Sequence, residues 1–425
     1  MLCAREFRAM EEKIIKTQEE KRPGAVKMGI AVDIGTTTLF VALWDLSDGT
    51  LKASSSCYNP QRKYGPDVIS RLLWAMKNED GLLKMREAVL EGLNGCIESV
   101  CRESKADAED ICRAVAAGNT IMSHFFAGKD PRGMAEAPFE PAYEGPLFMT
   151  GAEAGLNICG KAEVRVVPNI AGHIGGDITA GILAAGITDS NETSLFIDIG
   201  TNGEIALLSG GRGAACSTAA GPAFEGAGIS CGMRAEAGAV SGIRICDGQI
   251  TFDVIGETEP KGICGSGLID ALAVMAKAGF MDETGRILDG EGAEKAFGGK
   301  VYLTQKDVRN LQLAKGAVAA GVRICMDEMG TGPEDIEKLV IGGAFGNCLE
   351  PENAINTGLI PNIEREKIVA AGNTSAAGAA MILLGSENGT KAEEIPGLIR
   401  HIELAEREDF QKVYLDSMDL KKMSI

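Results

Sequence analysis

The tetrapeptide Asp-Ile-Gly-Thr occurs twice in this chain, at Asp33–Thr36 and at Asp198–Thr201. Each copy lies between apolar runs: Gly29–Val32 and Leu39–Trp44 around the first, Leu195–Ile197 and Ile205–Leu208 around the second. Apolar run, short Gly-containing turn and apolar run predict a strand–turn–strand hairpin, made here twice. A tight turn of this kind offers backbone N–H groups and short hydroxyls, the donors that phosphate oxygens need. An Asp at the strand end can hold a magnesium ion through water or orient an attacking water. Two such hairpins facing each other would clamp a nucleoside triphosphate from both sides, so the sequence predicts an ATP-handling protein.

The repeat extends past the hairpins. After the first come a turn at Ser47–Gly49, a third strand near Leu51–Cys57 and helical spacing over Pro66–Lys77 and Arg86–Ser104. A strand ending at Gly118, another at Val164–Val167 and a small-residue helix over Gly175–Gly186 close the half. The second half runs in the same order. Its turn is Ser209–Gly213, its third strand is expected within Gly242–Ile255, and helices are expected over Leu268–Ala278 and Lys306–Glu328. Strands at Lys338–Gly342 and Lys367–Ala371 and a helix over Ser375–Leu384 complete it. Two copies of one βββαβαβα order predict a duplicated α/β fold, with ligands at strand ends in a cleft between two lobes. The expected division is a charged, helix-like leader over 1–27, a first lobe over 28–190 and a second over 191–425.

Composition limits the partners. The net charge is −18 and no Lys/Arg-rich run occurs, which argues against nucleic acid and anionic membrane surfaces. No run of apolar residues is long enough to span a bilayer and the start lacks a signal-peptide pattern, so a cytoplasmic location is expected. The 12 cysteines include no C-x-x-C pair; Cys96 and Cys101 give only C-x4-C, half of a ferredoxin-type motif. Reduced thiols are the expectation, with no recognisable iron–sulfur ligands. Gly155–Ala162 matches the P-loop pattern until Ala162 replaces the Ser/Thr, and the residues that follow read as a strand where a P-loop opens a helix.

Other segments carry two readings each. Ile341–Asn347, with Gly342, Gly343 and Gly346, allows close approach to a flat ring or makes a helix-entry turn. Gly262–Gly267 opens a helix and approaches nucleotide or packs helix on strand. Asp177 is an N-cap or a carboxylate that orients water or metal. Gln312 and Lys315, one turn apart, suit ribose hydroxyls or a solvated face.

Together these features resemble the superfamily of acetate and sugar kinases, heat-shock seventy-kilodalton chaperones and actin (ASKHA). Within it they resemble the reductive activators of corrinoid proteins. The segments that carry this are Asn59–Gln61 with Gly65–Arg71, Gly118–Met122, Ala219–Glu225, Gly262–Asp270, Leu313–Gly316 and Gly342–Asn347 with Gly358–Pro361. The resemblance covers Lys27 to the C-terminus and implies a duplicated ribonuclease-H-like (actin-like ATPase) fold. It further implies an ATPase that helps return a corrinoid protein of a methyltransferase system from Co(II) to Co(I).

Residue by residue, the resemblance implies that Gly35, Thr36, Thr37 and Thr38 hold one end of ATP and Gly200, Thr201, Asn202 and Gly203 the other. Asp33 and Asp198 would place Mg2+, through water, and the attacking water, with Asp177 as a further catalytic carboxylate. Gly265, Ser266, Gln312, Lys315, Gly342, Gly343 and Phe345 would complete the nucleotide site. Members of this family usually carry an iron–sulfur module, which is not recognisable here, so electrons are expected from a separate ferredoxin-like protein. The resemblance also allows a homodimer. A small-molecule kinase would use the same hairpins with substrate-dependent ATP turnover and no protein partner; a chaperone-like ATPase would need a peptide-binding domain beyond Leu384.

Overall fold

The computed structural model describes residues 27–288, 297, 301–346 and 348–423. Apart from Lys27, the expected leader lies outside the described residues, as do Cys3 and Asn347. The chain forms two compact units: residues up to Asp189 with Asn373–Arg400, and Ser190–Gly372 with the segment from His401 on.

The first unit is built on a six-stranded sheet of order β3-β2-β1-β4-β6-β5. Its strands are β1 (Met28–Ile34), β2 (Thr38–Asp45), β3 (Leu51–Tyr58), β4 (Ile111–Gly118), β5 (Leu147–Thr150) and β6 (Glu163–Val166). β1 runs antiparallel to β2, with Ile34 opposite Leu39, and parallel to β4, with Ile34 opposite Gly118. Ile30, Val32, Val41 and Leu43 bury with Val89, Leu93 and Ile97 of the long helix α2 (Gly81–Ser104), which follows α1 (Val68–Lys77). Such apolar, β-branched strands suit a sheet covered by helices. β6 follows the P-loop look-alike directly, so no helix opens there.

α3 (Thr120–Ala127) and α4 (Gly176–Ala185) complete the sequence-local part of this unit. α7 (Thr374–Leu384) and α8 (Ser386–Leu398) also belong to it, although the sequence order groups them with the second half. The reason is steric. A Cβ on Gly378 of α7 would lie 2.0 Å from the Ala180 carbonyl oxygen of α4, so these two small-residue helices pack backbone against backbone.

The second unit repeats the sheet as β14-β13-β7-β8-β9-β15. The strands are β7 (Ser194–Ile199), β8 (Gly203–Ser209), β9 (Arg212–Thr218), β13 (Lys338–Gly342), β14 (Ile368–Gly372) and the edge strand β15 (Ile399–His401). The helices are α5 (Gly265–Lys277), α6 (Gln305–Met329) and α9 (Phe410–Asp416). One expectation needs correction. The third strand is β9, not a strand within Gly242–Ile255; there β10 (Ala239–Cys246) and β11 (Gln249–Val254) form a separate sheet with β12 (Gly262–Ile263). β9 escaped notice because it is made of small residues, and they are small because α6 lies on them. A Cβ on Gly321 of α6 would stand 2.7 Å from Thr218 Cγ2 and 3.1 Å from Cys216 Sγ. No helix among the described residues is long and apolar enough to cross a membrane.

Candidate functional site

The first hairpin is held rigidly from one side. A Cβ on Gly35 would fall 2.4 Å from the Thr38 carbonyl oxygen, so only glycine closes the turn between β1 and β2. The carbonyls of three successive turn residues are taken: Gly35 by Asn59 Nδ2 at 2.9 Å, Thr36 by Arg71 Nη1 at 2.7 Å and Thr37 by the Asn59 N–H at 2.9 Å. In a trans peptide the N–H opposes the C=O. Each N–H of Thr36, Thr37 and Thr38 therefore points away from the group that holds the carbonyl of the same peptide. Successive N–H groups of a turn can form an anion-binding concavity.

Both anchors are buried. Asn59 also caps the turn at Pro60–Lys63 by accepting from the Gln61 N–H at 3.0 Å. Arg71, on the buried face of α1 and 1% exposed, donates from Nε to the Gly65 carbonyl at 3.0 Å. Burial pulls its pKa down to about 10 against the opposing pull of Asp67, so it stays charged at neutral pH.

Asp33 is the penultimate residue of β1, and the N-terminus of α7 supplies its partners. Asn373 Nδ2 donates to one carboxylate oxygen at 2.9 Å and Ser375 Oγ to the other at 2.8 Å. Asn373 is itself fixed, because its Oδ1 accepts from the Ala376 N–H at 2.8 Å and caps α7. Burial raises the Asp33 pKa, and the two donors work against that rise. Asp177 stands in the first turn of α4, partly exposed, its Oδ1 accepting from the Ile178 N–H. The N-cap is Gly175, not Asp177, because only glycine fits there: a Cβ would be 2.5 Å from the Gly118 carbonyl oxygen.

In the second hairpin the Gly200 N–H donates to the Asn202 carbonyl at 2.9 Å and Thr201 Oγ1 donates to Glu225. Thr218 Oγ1 holds the Gly203 carbonyl at 3.0 Å. Asp198 pairs in register with Gly342 of β13. Gly343 has φ +76°, and a Cβ on it would meet Asp198 Oδ1 at 2.8 Å. The missing side chain thus makes room for the Asp198 carboxylate.

The remaining candidates divide. Phe345, half-buried, packs on Phe224 with ring centroids 5.1 Å apart and against Gly265, where a Cβ would be 2.8 Å from its ring. Ser266 is buried with its hydroxyl on the Ser241 carbonyl at 2.7 Å. Gln312 and Lys315 do not form a solvated face. Gln312 donates to the carbonyls of Thr284 and Met418, and Lys315 Nζ to those of Ser417 at 2.6 Å and Asp419 at 2.7 Å. Both are buried under the C-terminal segment, and burial brings the Lys315 pKa down to about 7.

Sequence reasoning assigned no role to Asn59, Arg71, Glu225, Asn373 or Ser375. The first three fall in segments that carry the resemblance; the last two had no local signal. Among the described residues no group of three or more His, Cys, Asp or Glu side chains could hold a metal. A magnesium ion here would draw most of its ligands from phosphate and water, its usual preference.

Comparison with known proteins identifies the family. Residues 28–190 match the family described as the RACo middle region, and 192–425 match the C-terminal domain of RACo, the ASKHA domain. The chain is 35% identical to the corrinoid activation enzyme RamQ of Eubacterium limosum, over 94% of this chain and 71% of that protein. It is 30% identical to the [Co(II) methylated amine-specific corrinoid protein] reductase of Methanosarcina barkeri, over 91% of this chain and 76% of that one. A solved structure of a reductive activator for corrinoid, iron-sulfur protein superposes with a TM-score of 0.85 at 36% identity, covering 95% of this chain and 67% of that chain. With both halves matched and relatives aligned along nearly its whole length, the chain belongs to the family of reductive activators of corrinoid proteins.

Proposed function

We propose that this chain binds and hydrolyses ATP to help return a corrinoid protein of a methyltransferase system from Co(II) to Co(I). The observation that carries the ATP part is the first hairpin, a glycine-closed turn whose three successive carbonyls are held by Asn59 and Arg71, the kind of fixed turn that receives phosphate oxygens. The names of the relatives supply the corrinoid part. One electron passes to Co(II) from a separate iron–sulfur protein of low potential, and hydrolysis changes how the activator grips its partner.

In this reading Gly35–Thr38 and Gly200–Gly203 bind phosphates. Asp33, oriented by Asn373 and Ser375, and Asp198, with room made by Gly343, hold waters of a bound magnesium ion or the attacking water, and Asp177 assists. Bound magnesium would offset charge on the phosphate oxygens. Gly265, Gly342, Gly343 and Phe345 border the nucleoside, while Ser266, Gln312 and Lys315 support it from behind, their polar groups being held by backbone carbonyls.

The test is steady-state ATP turnover with and without a purified Co(II) corrinoid protein from the same organism. Stimulation by the Co(II) form, lost in Asp198→Ala with an unchanged far-UV spectrum, supports the reading. Equal turnover in wild type and Asp198→Ala would remove Asp198 from the chemistry. Stimulation by a sugar or small acid in place of the protein would make the chain a small-molecule kinase.

A further inference from the structure

α1 has two working faces. Arg71 on the inner face holds the hairpin, with Val68 and Leu72 buried beside it. On the outer face Ile69, Leu73 and Met76, at helical spacing, are 46%, 43% and 40% exposed. One turn of helix separates each from the next, so they form a continuous apolar stripe.

The adjoining segment Tyr58–Tyr64 extends this stripe. Tyr58 is 47% exposed with the Arg62 guanidinium 4.8 Å from its ring centre, and Lys63 Nζ lies 5.0 Å from the Tyr64 ring centre. Tyr64 packs on Trp74 of α1 at 4.2 Å. Of the chain's two tryptophans and five tyrosines, Trp74, Tyr58 and Tyr64 sit here. Tyr, Trp, Met and Arg are the residue types enriched at protein–protein interfaces. The charge is equally local. Arg62, Lys63 and Lys77 are exposed at this patch in a chain of net charge −18; of the neighbouring carboxylates, Asp67 and Asp80 are engaged by Ser70 and Lys84, and Glu79 is exposed beside Lys77, which leaves Arg62 and Lys63 as the cationic end of the patch.

We propose that the patch formed by Tyr58–Tyr64 and the outer face of α1 is a docking surface for an acidic protein partner, which on the function proposed above is the corrinoid protein. Apolar contact with Ile69, Leu73 and Met76 anchors it, and carboxylates of the partner meet Arg62 and Lys63. The two segments that make this surface also hold the hairpin: Asn59 lies in the first and Arg71 in the second. Partner docking and nucleotide binding therefore bias the same element, and each changes the affinity for the other by the same factor.

Binding of the purified Co(II) corrinoid protein to the full chain, with and without Mg-ATP, tests this by calorimetry. Leu73→Glu and the double variant Arg62→Glu, Lys63→Glu should each weaken partner binding by about tenfold or more. Partner binding in the charge variant should lose its dependence on salt, and both variants should keep wild-type ATP affinity in the absence of partner. Wild-type partner affinity in both variants would overturn the surface. If the wild-type chain does not bind the corrinoid protein at all, the proposed function fails instead. Sedimentation of the chain alone closes the last route: a self-association abolished by Leu73→Glu would assign the patch to a second copy and overturn the proposal.

Discussion

Arg71→Met puts the hairpin argument at risk most usefully. Methionine retains most of the apolar stem of arginine but removes the side-chain donations to Thr36 O at 2.7 Å and Gly65 O at 3.0 Å, with a weaker one to Met122 Sδ. A hydrogen bond from a charged donor contributes about 1.5–3 kcal/mol, and a carbonyl left buried without a partner costs a similar amount. Taking the low end, because burial already works against the charged guanidinium, the loss of stability should be roughly 3 kcal/mol. The Thr36–Thr37 peptide then loses the partner that fixes its carbonyl, and on the proposed function its N–H is displaced from the phosphate. Losing one such donor should weaken ATP binding by about tenfold. Urea unfolding and calorimetric ATP titration read the two effects separately.

Leu72→Ala is the control, since it deletes a fully buried neighbour on the same helix and should cost about 2–5 kcal/mol without touching the hairpin. Wild-type ATP affinity in Arg71→Met, or equal loss of affinity in Leu72→Ala, would refute the idea that Arg71 orients the turn.

Three further outcomes follow from the same geometry. Gly343→Ala forces a Cβ into a φ of +76° and against Asp198 Oδ1; it should cost roughly 1–2 kcal/mol and abolish ATP turnover, and normal turnover would detach Asp198 from its glycine. Ser375→Ala removes a donor that opposes the raised Asp33 pKa, so the acid limb of a pH profile of ATP turnover should move to higher pH; an unmoved limb contradicts the role of Ser375 in positioning Asp33. Burial brings the Lys315 pKa down to about 7 from the usual 10.5 of a lysine. The unfolded chain therefore holds the extra proton between these values, and stability gains with rising pH across that window. Lys315→Met should flatten this part of the urea-midpoint profile, and an unchanged slope would contradict the burial of the amine.

Much of this architecture is legible in the sequence because it is local. The Asp-Ile-Gly-Thr turns sit between apolar strands, and both hairpins form where the pattern places them. Helix and strand limits mostly agree within a few residues. What was not legible depends on distant chain. Asp33 meets Asn373 and Ser375 only because α7 returns to the first unit, and a stripe of Ala and Gly in α7 does not announce which neighbour it packs on. β9 lacks the β-branched run that marks a strand, since α6 requires small residues there. Gln312 and Lys315 read as ribose contacts or a solvated face, yet the carbonyls of Thr284 and the C-terminal segment bury them. Arg71 has no local signal of its own, and only the position of the Thr36 carbonyl gives it a task.

The central claim, that this chain uses ATP to make a corrinoid protein reducible, is tested most directly by anaerobic visible spectroscopy. The sample holds a Co(II) corrinoid protein from the same organism, this chain and a low-potential iron–sulfur donor, and Mg-ATP starts the reaction. The Co(I) absorption band should grow only after ATP is added and stay absent with Asp198→Ala. A Co(I) band that forms equally without ATP, or none at all while ATP is hydrolysed, would contradict it.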